Sequence, residues 1–361
     1  MFRLNLYQRY LMRETLAAVF LVLAAFLALF SFFDLVNELR SVGRGGYQLG
    51  HAVSFVALSL PALVYELIPI ATLIGALYAL STLARHSEIT VLRASGLATA
   101  DLLMSLFRVA GILAVLTFVV GEGVVPYSER MAQEMRANAM SKVIAQQGFE
   151  SGLWVKDGRS FVNIGQANAD ARLEKVRIYH FNADNSLESV TEAAEATFVP
   201  PGNWALKGVV RNVLDGNSSR VEHSDEDVWH SAVTPDLLAV LMVSPERMSL
   251  LSLLNYTEHL SENRQKSERY QIALWKKLIY PLAALVMVAL ALPFGYSHNR
   301  VGGVSLKIFA GVMLGILFYA LNGLFSNLGV INAWPPFASA VAPSAMFLLM
   351  AIGMLWWVER R

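Results

Sequence analysis

Residues 84–101 read ARHSEITVLRASGLATAD and lie between two apolar runs that are each long enough to cross a bilayer. The stretch carries charged and titratable side chains that are costly within hydrocarbon, namely Arg85, His86, Glu88 and Arg93. Ser87 is a common helix N-cap residue, Glu88 suits the first turn of a helix, and Gly96 suits its end. The pattern predicts a short helix over residues 85–97 at the membrane surface, where a soluble motor protein can push it. An ordinary connection between two spans is the alternative.

The composition is typical of a membrane protein. The chain has 361 residues, of which 55% are hydrophobic and only 16% are charged. It contains no cysteine, which excludes a disulfide framework and a thiolate metal site. Residues 126–272 carry a net charge of −5, whereas the rest of the chain carries +6. This division predicts a mildly acidic soluble part set into a basic membrane part, and nucleic acid is not an expected partner.

Stretches of about 20 apolar residues predict six transmembrane helices. They cover residues 14–34, 58–84, 101–123, 274–295, 304–326 and 337–358. The predicted fold is therefore an α-helical membrane protein with six transmembrane helices in a 3 + 3 arrangement and an inserted extracytoplasmic β-jellyroll-like domain. Its predicted parts are an N-terminal membrane half (1–125), the inserted domain (126–272) and a C-terminal membrane half (273–361).

Two of the spans have unusual beginnings. The first follows Met1–Tyr10, which is predicted to be a short amphipathic lead on the membrane surface rather than part of a cleavable signal peptide. Pro61, Glu66 and Pro69 interrupt the first half of the second span, which is expected to be broken or kinked there.

The distribution of Lys and Arg predicts the orientation in the membrane. With a cytoplasmic N-terminus, the short inner segments contain nine basic residues: Arg3, Arg9, Arg13, Arg85, Arg93, Arg300, Lys307, Arg360 and Arg361. The short outer loops contain only Arg40 and Arg44. Both termini and residues 84–101 are therefore predicted to be cytoplasmic, with residues 126–272 on the other side.

The inserted region changes from helical to strand-like periodicity. Residues 153–155 and 161–164 flank the turn pair Asp157-Gly158, which is typical of a β-hairpin. Further strands are predicted over residues 176–181, 187–199, 203–213 and 219–230, and their spacing favours a sandwich or jelly roll. From Ser249 the pattern predicts a helix, with Ser249 as its cap, leading back to the membrane.

Several kinds of active site are not indicated. The chain has no GxxxxGK[ST], GxSxG, HExxH or GxGxxG motif. His223 and His230 have no spacing typical of a zinc site, so no metal site is predicted. Ionisable residues near the middle of the spans are few, which argues against a secondary carrier with a proton or sodium relay.

Basic residues at the predicted outer ends of the spans are candidates for ligand binding. The selected positions are Arg40, Arg44, Arg136, Lys276 and Lys277. Together they can form a rim for an anionic amphiphile whose acyl chains lie between helices. The alternative is that their side chains reach ordinary lipid headgroups, as flanking Lys and Arg often do.

Several stretches along almost the whole chain resemble one known family. They are FDLVNELRSVGRGGY (33–47), LIGALYALSTLARHSEITVLRASG (73–96), MRANAM (135–140), GLWVKDGRSFVNIG (152–165), TPDLLAVLMVSPERMSLLSLLNY (234–256) and PLAALVMVALALPFG (281–295). In this order and spacing they resemble the LptF/LptG family of lipopolysaccharide-export permeases, and its LptG branch most closely. The arrangement of three spans, a domain and three spans is also that family's plan.

The resemblance implies a permease subunit of an ABC transporter in the inner membrane of Gram-negative bacteria. Such a subunit extracts lipopolysaccharide from the outer leaflet of that membrane and passes it to a periplasmic bridge towards the outer membrane. The implied partners are an LptF-like permease paralogue, a cytoplasmic LptB-like ATPase dimer and a single-span LptC-like protein. ATP hydrolysis is expected in the separate ATPase, so this chain is expected to be neither an enzyme nor the holder of a cofactor.

The resemblance also assigns roles to particular residues. Residues 84–101 match the family's coupling helix, with the ATPase contact expected at Arg85, Glu88, Leu92, Arg93 and Gly96. Arg40 and Arg136 match basic positions expected to contact lipopolysaccharide, whereas Arg44, Lys276 and Lys277 are not matched individually. Relatives can carry a Lys pair where this chain has the single basic residue Arg40.

Three other functions compete with the leading hypothesis. The chain can be the LptF-like paralogue of the same complex. It can be a non-transporting transmembrane signal or force transmitter that contacts an ATPase without a lipid cargo. A secondary carrier, active without any ATPase, is the third.

Overall fold

Long apolar helices form the membrane part of the computed structural model, which describes residues 5–44, 46–96, 99–144, 153–167, 172–184, 186–200, 202–215, 218–231, 233–235, 244–262, 265–296 and 304–360. Six stretches are long and apolar enough to cross a membrane: residues 6–39, 49–85, 101–136, 268–294, 305–331 and 336–357. The prediction of six spans is therefore confirmed. Of the predicted inner basic residues, Arg3, Arg300 and Arg361 lie outside the described residues, as do residues 1–4 of the predicted surface lead.

The helices of the first membrane half extend beyond the predicted spans. They are α1 (Leu6–Leu39), α2 (Leu49–Arg85), α3 (Glu88–Ala94) and α4 (Thr99–Val119). From Leu6 onward the predicted lead is continuous with the first span. At 34 residues and about 1.5 Å per residue, α1 is longer than a hydrocarbon core about 30 Å thick, so its ends extend beyond the apolar layer.

The second span was predicted to be broken or kinked, and the structure shows no break in it. Helix α2 continues through Pro61 and Pro69 without interruption. A proline removes one helical hydrogen bond and crowds the carbonyls one turn earlier. Near Pro69 the Tyr280 hydroxyl donates to the Glu66 carbonyl at 2.7 Å. The Glu66 carbonyl lies three residues before Pro69, so a side chain from a distant part of the chain binds the backbone close to this proline.

The third span does not end at residue 123. A π-helical turn (Val120–Val124) joins α4 to α5 (Val125–Ile144). Pro126 has no N–H for the Glu122 carbonyl, and the helix widens there, with the Val125 N–H donating to the Val120 carbonyl. The first 19 residues of the predicted inserted domain (126–144) are therefore helical.

The second membrane half follows the inserted domain. Its helices are α7 (Glu268–Ile279), α8 (Ala283–Tyr296), α9 (Val304–Ile331) and α10 (Pro336–Glu359), and a 3-10 turn (Tyr280–Leu282) joins α7 to α8. Helix α2 and the span formed by α7 and α8 lie at the centre of the bundle. In their most apolar 18-residue stretches, 83% and 67% of the residues are buried. In the corresponding stretches of α1, α9 and α10, only 17%, 22% and 28% of the residues are buried. These helices therefore present most of their surface to lipid or to a partner.

The inserted domain contains one six-stranded antiparallel sheet. Its strands are β1 (Leu153–Asp157), β2 (Ser160–Ala167), β3 (Arg172–Phe181), β4 (Leu187–Val199), β5 (Asn203–Asp215) and β6 (Ser218–His230). The predicted antiparallel β domain and its first hairpin are confirmed, with Asp157 paired to Ser160 across the turn. The spatial order β1-β2-β3-β4-β5-β6 is that of a meander, because short connections join each strand to its neighbour.

One face of this sheet is strongly apolar and buried. All six strands contribute to its core, which includes Val155, Val162, Val176, Ala196 and Trp204. Trp204 is fully buried, stacks on Trp229 at 6.1 Å between ring centroids, and donates its indole N–H to the Val233 carbonyl at 2.8 Å. Val233, which follows the last strand, belongs to the same core, so the chain beyond the sheet helps to cover its apolar face.

The chain leaves the sheet through a return segment, residues 244–262. It consists of a 3-10 turn (Pro245–Arg247) and helix α6 (Leu250–Glu262). The predicted cap is confirmed, because the Ser249 hydroxyl accepts the Ser252 N–H at 3.1 Å. Leu253 and Tyr256 are buried, whereas Leu254 is 51% exposed. Burial raises the pKa of the Tyr256 hydroxyl.

Candidate functional site

Helix α3 is a seven-residue helix between two sharp turns at one end of the bundle. Ser87 and Gly96 flank it with φ angles of 60° and 93°. The Ser87 carbonyl accepts the Val91 N–H at 3.0 Å, which starts the helical bonding. The helix is shorter than the predicted 85–97, because α2 continues to Arg85 and the left-handed conformation of Ser87 then separates the two helices.

One side of α3 is anchored in the bundle, and the other side is open. Ile89 is 5% exposed and belongs to the core formed by the membrane helices. Val91 is 66% exposed, and Thr90 and Ala94 are also exposed. Helix α3 thus has one side buried in the bundle and one side exposed.

The residues selected for the ATPase contact lie at or near this open side. Arg85 and Gly96 are exposed, whereas Glu88 and Leu92 are half-buried. The Glu88 carboxylate lies beside the Tyr10 hydroxyl of α1. Arg93 belongs to the helix, but its side chain lies outside the described part of the structure. The geometry brings these positions together, and their contact with an ATPase stays a prediction.

At the opposite end of the bundle, the loop between α1 and α2 is held by Glu38, Tyr47 and Arg136, the loop cluster. The Tyr47 hydroxyl donates to Glu38 Oε1 at 2.8 Å, and Arg136 Nε lies 3.3 Å from the same oxygen. The Arg136 guanidinium also lies 5.1 Å from the centre of the Phe55 ring. Burial and the bond to Glu38 raise the pKa of Tyr47, so its hydroxyl remains a donor.

The loop cluster gives Arg136 a structural partner in addition to its predicted cargo role. Its side chain is 36% exposed, whereas that of Glu38 is 9% exposed. Arg136 therefore neutralises a buried carboxylate while one part of its guanidinium still faces outward.

Arg40 and Arg44 follow α1 directly, and both side chains are exposed. The last turns of α1 before them carry exposed aromatic side chains, with Phe32 60% and Phe33 53% exposed. An exposed apolar helix surface thus ends close to two exposed cations. The structure thus leaves these two predicted residues open to a ligand.

Lys276 and Lys277 both contact other parts of the chain. Lys276 Nζ donates to the Asn322 carbonyl at 3.2 Å. Lys277 is 5% exposed, donates to the Met248 carbonyl, and lies 3.4 Å from Glu122 Oε2. Their contact with a ligand stays a prediction, but the ammonium group of Lys277 is engaged within the protein.

Lys277 belongs to a group of charged side chains that was not predicted from the sequence. We call this group the charge cluster. Its members are Glu66, Glu122, Glu129, Arg247 and Lys277. They come from α2, the π-helical turn, α5, the return segment and α7. Among the paired residues, the separation along the chain reaches 181 positions between Glu66 and Arg247, so no local pattern reveals them. Among the described residues, no group of three or more His, Asp or Glu side chains is arranged to hold a metal ion.

Comparison with known proteins agrees with this architecture. Residues 9–357 match the family of the lipopolysaccharide export system permease LptF/LptG. The lipopolysaccharide export system permease protein LptG of Escherichia coli K12 is 34% identical over 353 residues, which cover 96% of this chain and 97% of that protein. The LptG protein of Haemophilus influenzae is 29% identical over 361 residues, or 99% of each chain.

The LptF protein of Escherichia coli K12 is similar over a shorter region. It is 34% identical over 135 residues, which is 36% of each chain. The resemblance seen in the sequence motifs is thus confirmed, including the closer similarity to LptG. This chain belongs to the LptF/LptG family of lipopolysaccharide export system permeases.

Proposed function

We propose that this chain is an LptG-type permease subunit that extracts lipopolysaccharide from a membrane. The observation that carries the proposal is the match across residues 9–357 to a permease family, in a chain that has six spans and an inserted sheet domain. The LptG proteins of Escherichia coli and Haemophilus influenzae are similar to it over nearly their whole length. An LptF-type role is the second candidate, which the 135-residue similarity to LptF supports less.

The proposed complex contains an LptF-like paralogue, a separate LptB-like ATPase dimer and an LptC-like protein. It lies in the inner membrane, with both termini cytoplasmic and residues 126–272 periplasmic. Helix α3 provides the ATPase contact, because its exposed side is held on the bundle by Ile89. No cofactor is proposed for this chain.

The proposed cargo path begins at α1. The exposed aromatic surface of α1 receives acyl chains, and Arg40 and Arg44 receive phosphate groups. Arg136 provides a further cation once the phosphate displaces Glu38. When ATP-driven closure of the partner pushes α3, the membrane helices rearrange, and the cargo moves towards the sheet domain.

The ATPase contact is tested by purifying the complex from its native membranes in mild detergent. The wild type is expected to carry both an ATPase and bound lipid A, and Glu88→Lys is expected to lose the ATPase. Glu262→Lys makes the same charge change at an exposed position of α6 and serves as the matched control. If the wild type carries the ATPase without lipid A, the result favours the force transmitter. If the wild type carries no ATPase and no lipid A, the result contradicts both the permease and the force transmitter.

The cargo contact is tested with the double variant Arg40→Ala/Arg44→Ala. It is expected to retain the ATPase and to carry less lipid A. Arg159→Ala removes an exposed cation from the β1–β2 turn and is the control. Equal lipid A in all three proteins argues against the proposed role of Arg40 and Arg44.

A further inference from the structure

The return segment begins against the third and fourth spans, and Glu122 is the residue that joins them. Both carboxylate oxygens of Glu122 accept the Leu250 N–H, each at 3.0 Å, at the first turn of α6. The same carboxylate lies 3.4 Å from Lys277 Nζ, which in turn donates to the Met248 carbonyl. One side chain therefore connects the helix that leaves the sheet domain with two membrane spans.

A second set of contacts holds the same segment through Arg247, the last residue of the 3-10 turn. Arg247 Nη1 donates to Glu129 Oε2 at 2.9 Å, and Arg247 Nη2 lies 4.0 Å from Glu66 Oε1. The Glu129 side chain is only 3% exposed and also accepts the Gln133 amide at 2.9 Å. Because breaking a buried ion pair leaves an uncompensated charge, this contact resists separation.

Glu122 occupies the one irregular turn in the long helix of the third span. The π-helical turn Val120–Val124 adds a residue to the turn and so changes the direction in which the following side chains point. Gly121 makes room for this turn against α2, because a Cβ at Gly121 would lie 2.6 Å from the Tyr65 ring. The Glu122 carboxylate thus reaches the return segment from a local distortion of the helix.

We propose that Glu122 is a positioning residue for transport, which fixes the start of α6 to the third and fourth spans so that their movement is carried into the sheet domain. This inference rests on the proposed function of the chain. Glu122 suits the role because its negative charge both satisfies the N-terminal end of α6 and neutralises the buried Lys277. In this account Glu122 does not contact the cargo.

The test compares ATP hydrolysis with lipopolysaccharide release in the reconstituted complex. Glu122→Ala is expected to keep its ATPase activity while lipopolysaccharide released per ATP falls by about two- to thirtyfold, the range of a typical coupling change. Glu134→Ala is the control, since it removes a carboxylate from an exposed pair on the same long helix. Normal release by Glu122→Ala overturns the inference.

A covalent replacement of the contact separates positioning from cargo binding. The chain has no cysteine, so Glu122→Cys/Leu250→Cys can be bridged with a short bifunctional thiol reagent. Bridging is expected to restore release per ATP in the double variant and to have no effect on either single variant. Failure to restore release in a bridged complex that still hydrolyses ATP contradicts the positioning role.

The wild type separates the two levels of the proposal. Lipopolysaccharide release driven by ATP in the wild type supports the proposed function whatever the variants do. If the wild type releases lipopolysaccharide and the bridged variant does not, only the role of Glu122 is wrong. If the wild type binds no lipopolysaccharide, the proposed function itself is wrong, and the inference falls with it.

Discussion

The packing of α1 on α2 predicts a large effect of a small substitution at Gly75. A Cβ at Gly75 would lie 2.6 Å from the Cα and 2.7 Å from the backbone nitrogen of Val19. Backbone atoms cannot rotate away as the tip of a side chain can, so Gly75→Ala requires the two helices to separate.

The magnitude follows from two opposing terms. Overpacking costs about 1–3 kcal/mol, and a contact with backbone belongs at the upper end. Replacing a helical glycine by alanine gains about 0.5–1 kcal/mol. The net loss for Gly75→Ala is therefore about 2 kcal/mol, which corresponds to roughly a thirtyfold larger unfolding constant by the relation of about 1.4 kcal/mol per factor of ten.

Two other glycines provide graded controls. A Cβ at Gly311 would meet the Leu77 Cδ1 methyl, which can move, and a Cβ at Gly353 meets nothing within 4 Å. The expected order of stability is Gly353→Ala, wild type, Gly311→Ala and then Gly75→Ala. Reversible unfolding in mixed micelles measures this order. Equal stability of Gly75→Ala and Gly353→Ala would refute the reasoning.

Three further predictions concern orientation, pH and the sheet domain. The chain has no cysteine, so single cysteines can be labelled in whole cells that express it. A membrane-impermeant maleimide is expected to label Ser219→Cys in the sheet domain and not Ser95→Cys beside α3. The reverse pattern contradicts the proposal that residues 126–272 are periplasmic. Because the pKa of Tyr47 is raised above its ordinary 10.0, its contribution to stability is present below about pH 10 and is lost as the pH rises further. The difference in unfolding midpoint between the wild type and Tyr47→Phe should therefore shrink above that pH. A difference that stays constant as the pH rises argues against this role of Tyr47. Trp204→Phe removes the indole N–H that donates to the buried Val233 carbonyl, at a cost of about 1–3 kcal/mol in stability. Limited proteolysis should therefore cut the sheet domain of this variant faster than that of the control Trp154→Phe, whose site is exposed. Equal rates contradict the prediction.

The main elements were predictable from the sequence because each depends on a local pattern. Hydrocarbon requires about 20 apolar residues per span, and this requirement located all six spans. Alternating residues and turn pairs located the strands, and β4 was predicted with the bounds 187–199 that the structure has. The cap at Ser249 was also predictable, because capping needs only neighbouring residues.

The errors arose where distant residues decide the local structure. Pro61, Glu66 and Pro69 predicted a broken or kinked second span, but α2 is continuous through both prolines. Near Pro69 the Tyr280 hydroxyl from another part of the chain donates to the Glu66 carbonyl. The third span continues beyond residue 123, because a π-helical turn accommodates Pro126. Sequence alone also cannot distinguish Arg44, which is exposed, from Lys277, which is buried against Glu122.

The measurement that tests the central claim most directly is lipopolysaccharide release from proteoliposomes containing this chain, its permease paralogue and the ATPase. The account predicts that lipopolysaccharide passes to a soluble acceptor only when ATP is hydrolysed, and that Glu88→Lys abolishes this transfer. Transfer that proceeds equally without ATP, or a complex that hydrolyses ATP and never binds lipopolysaccharide, would contradict the assignment of this chain as an ATP-driven lipopolysaccharide permease.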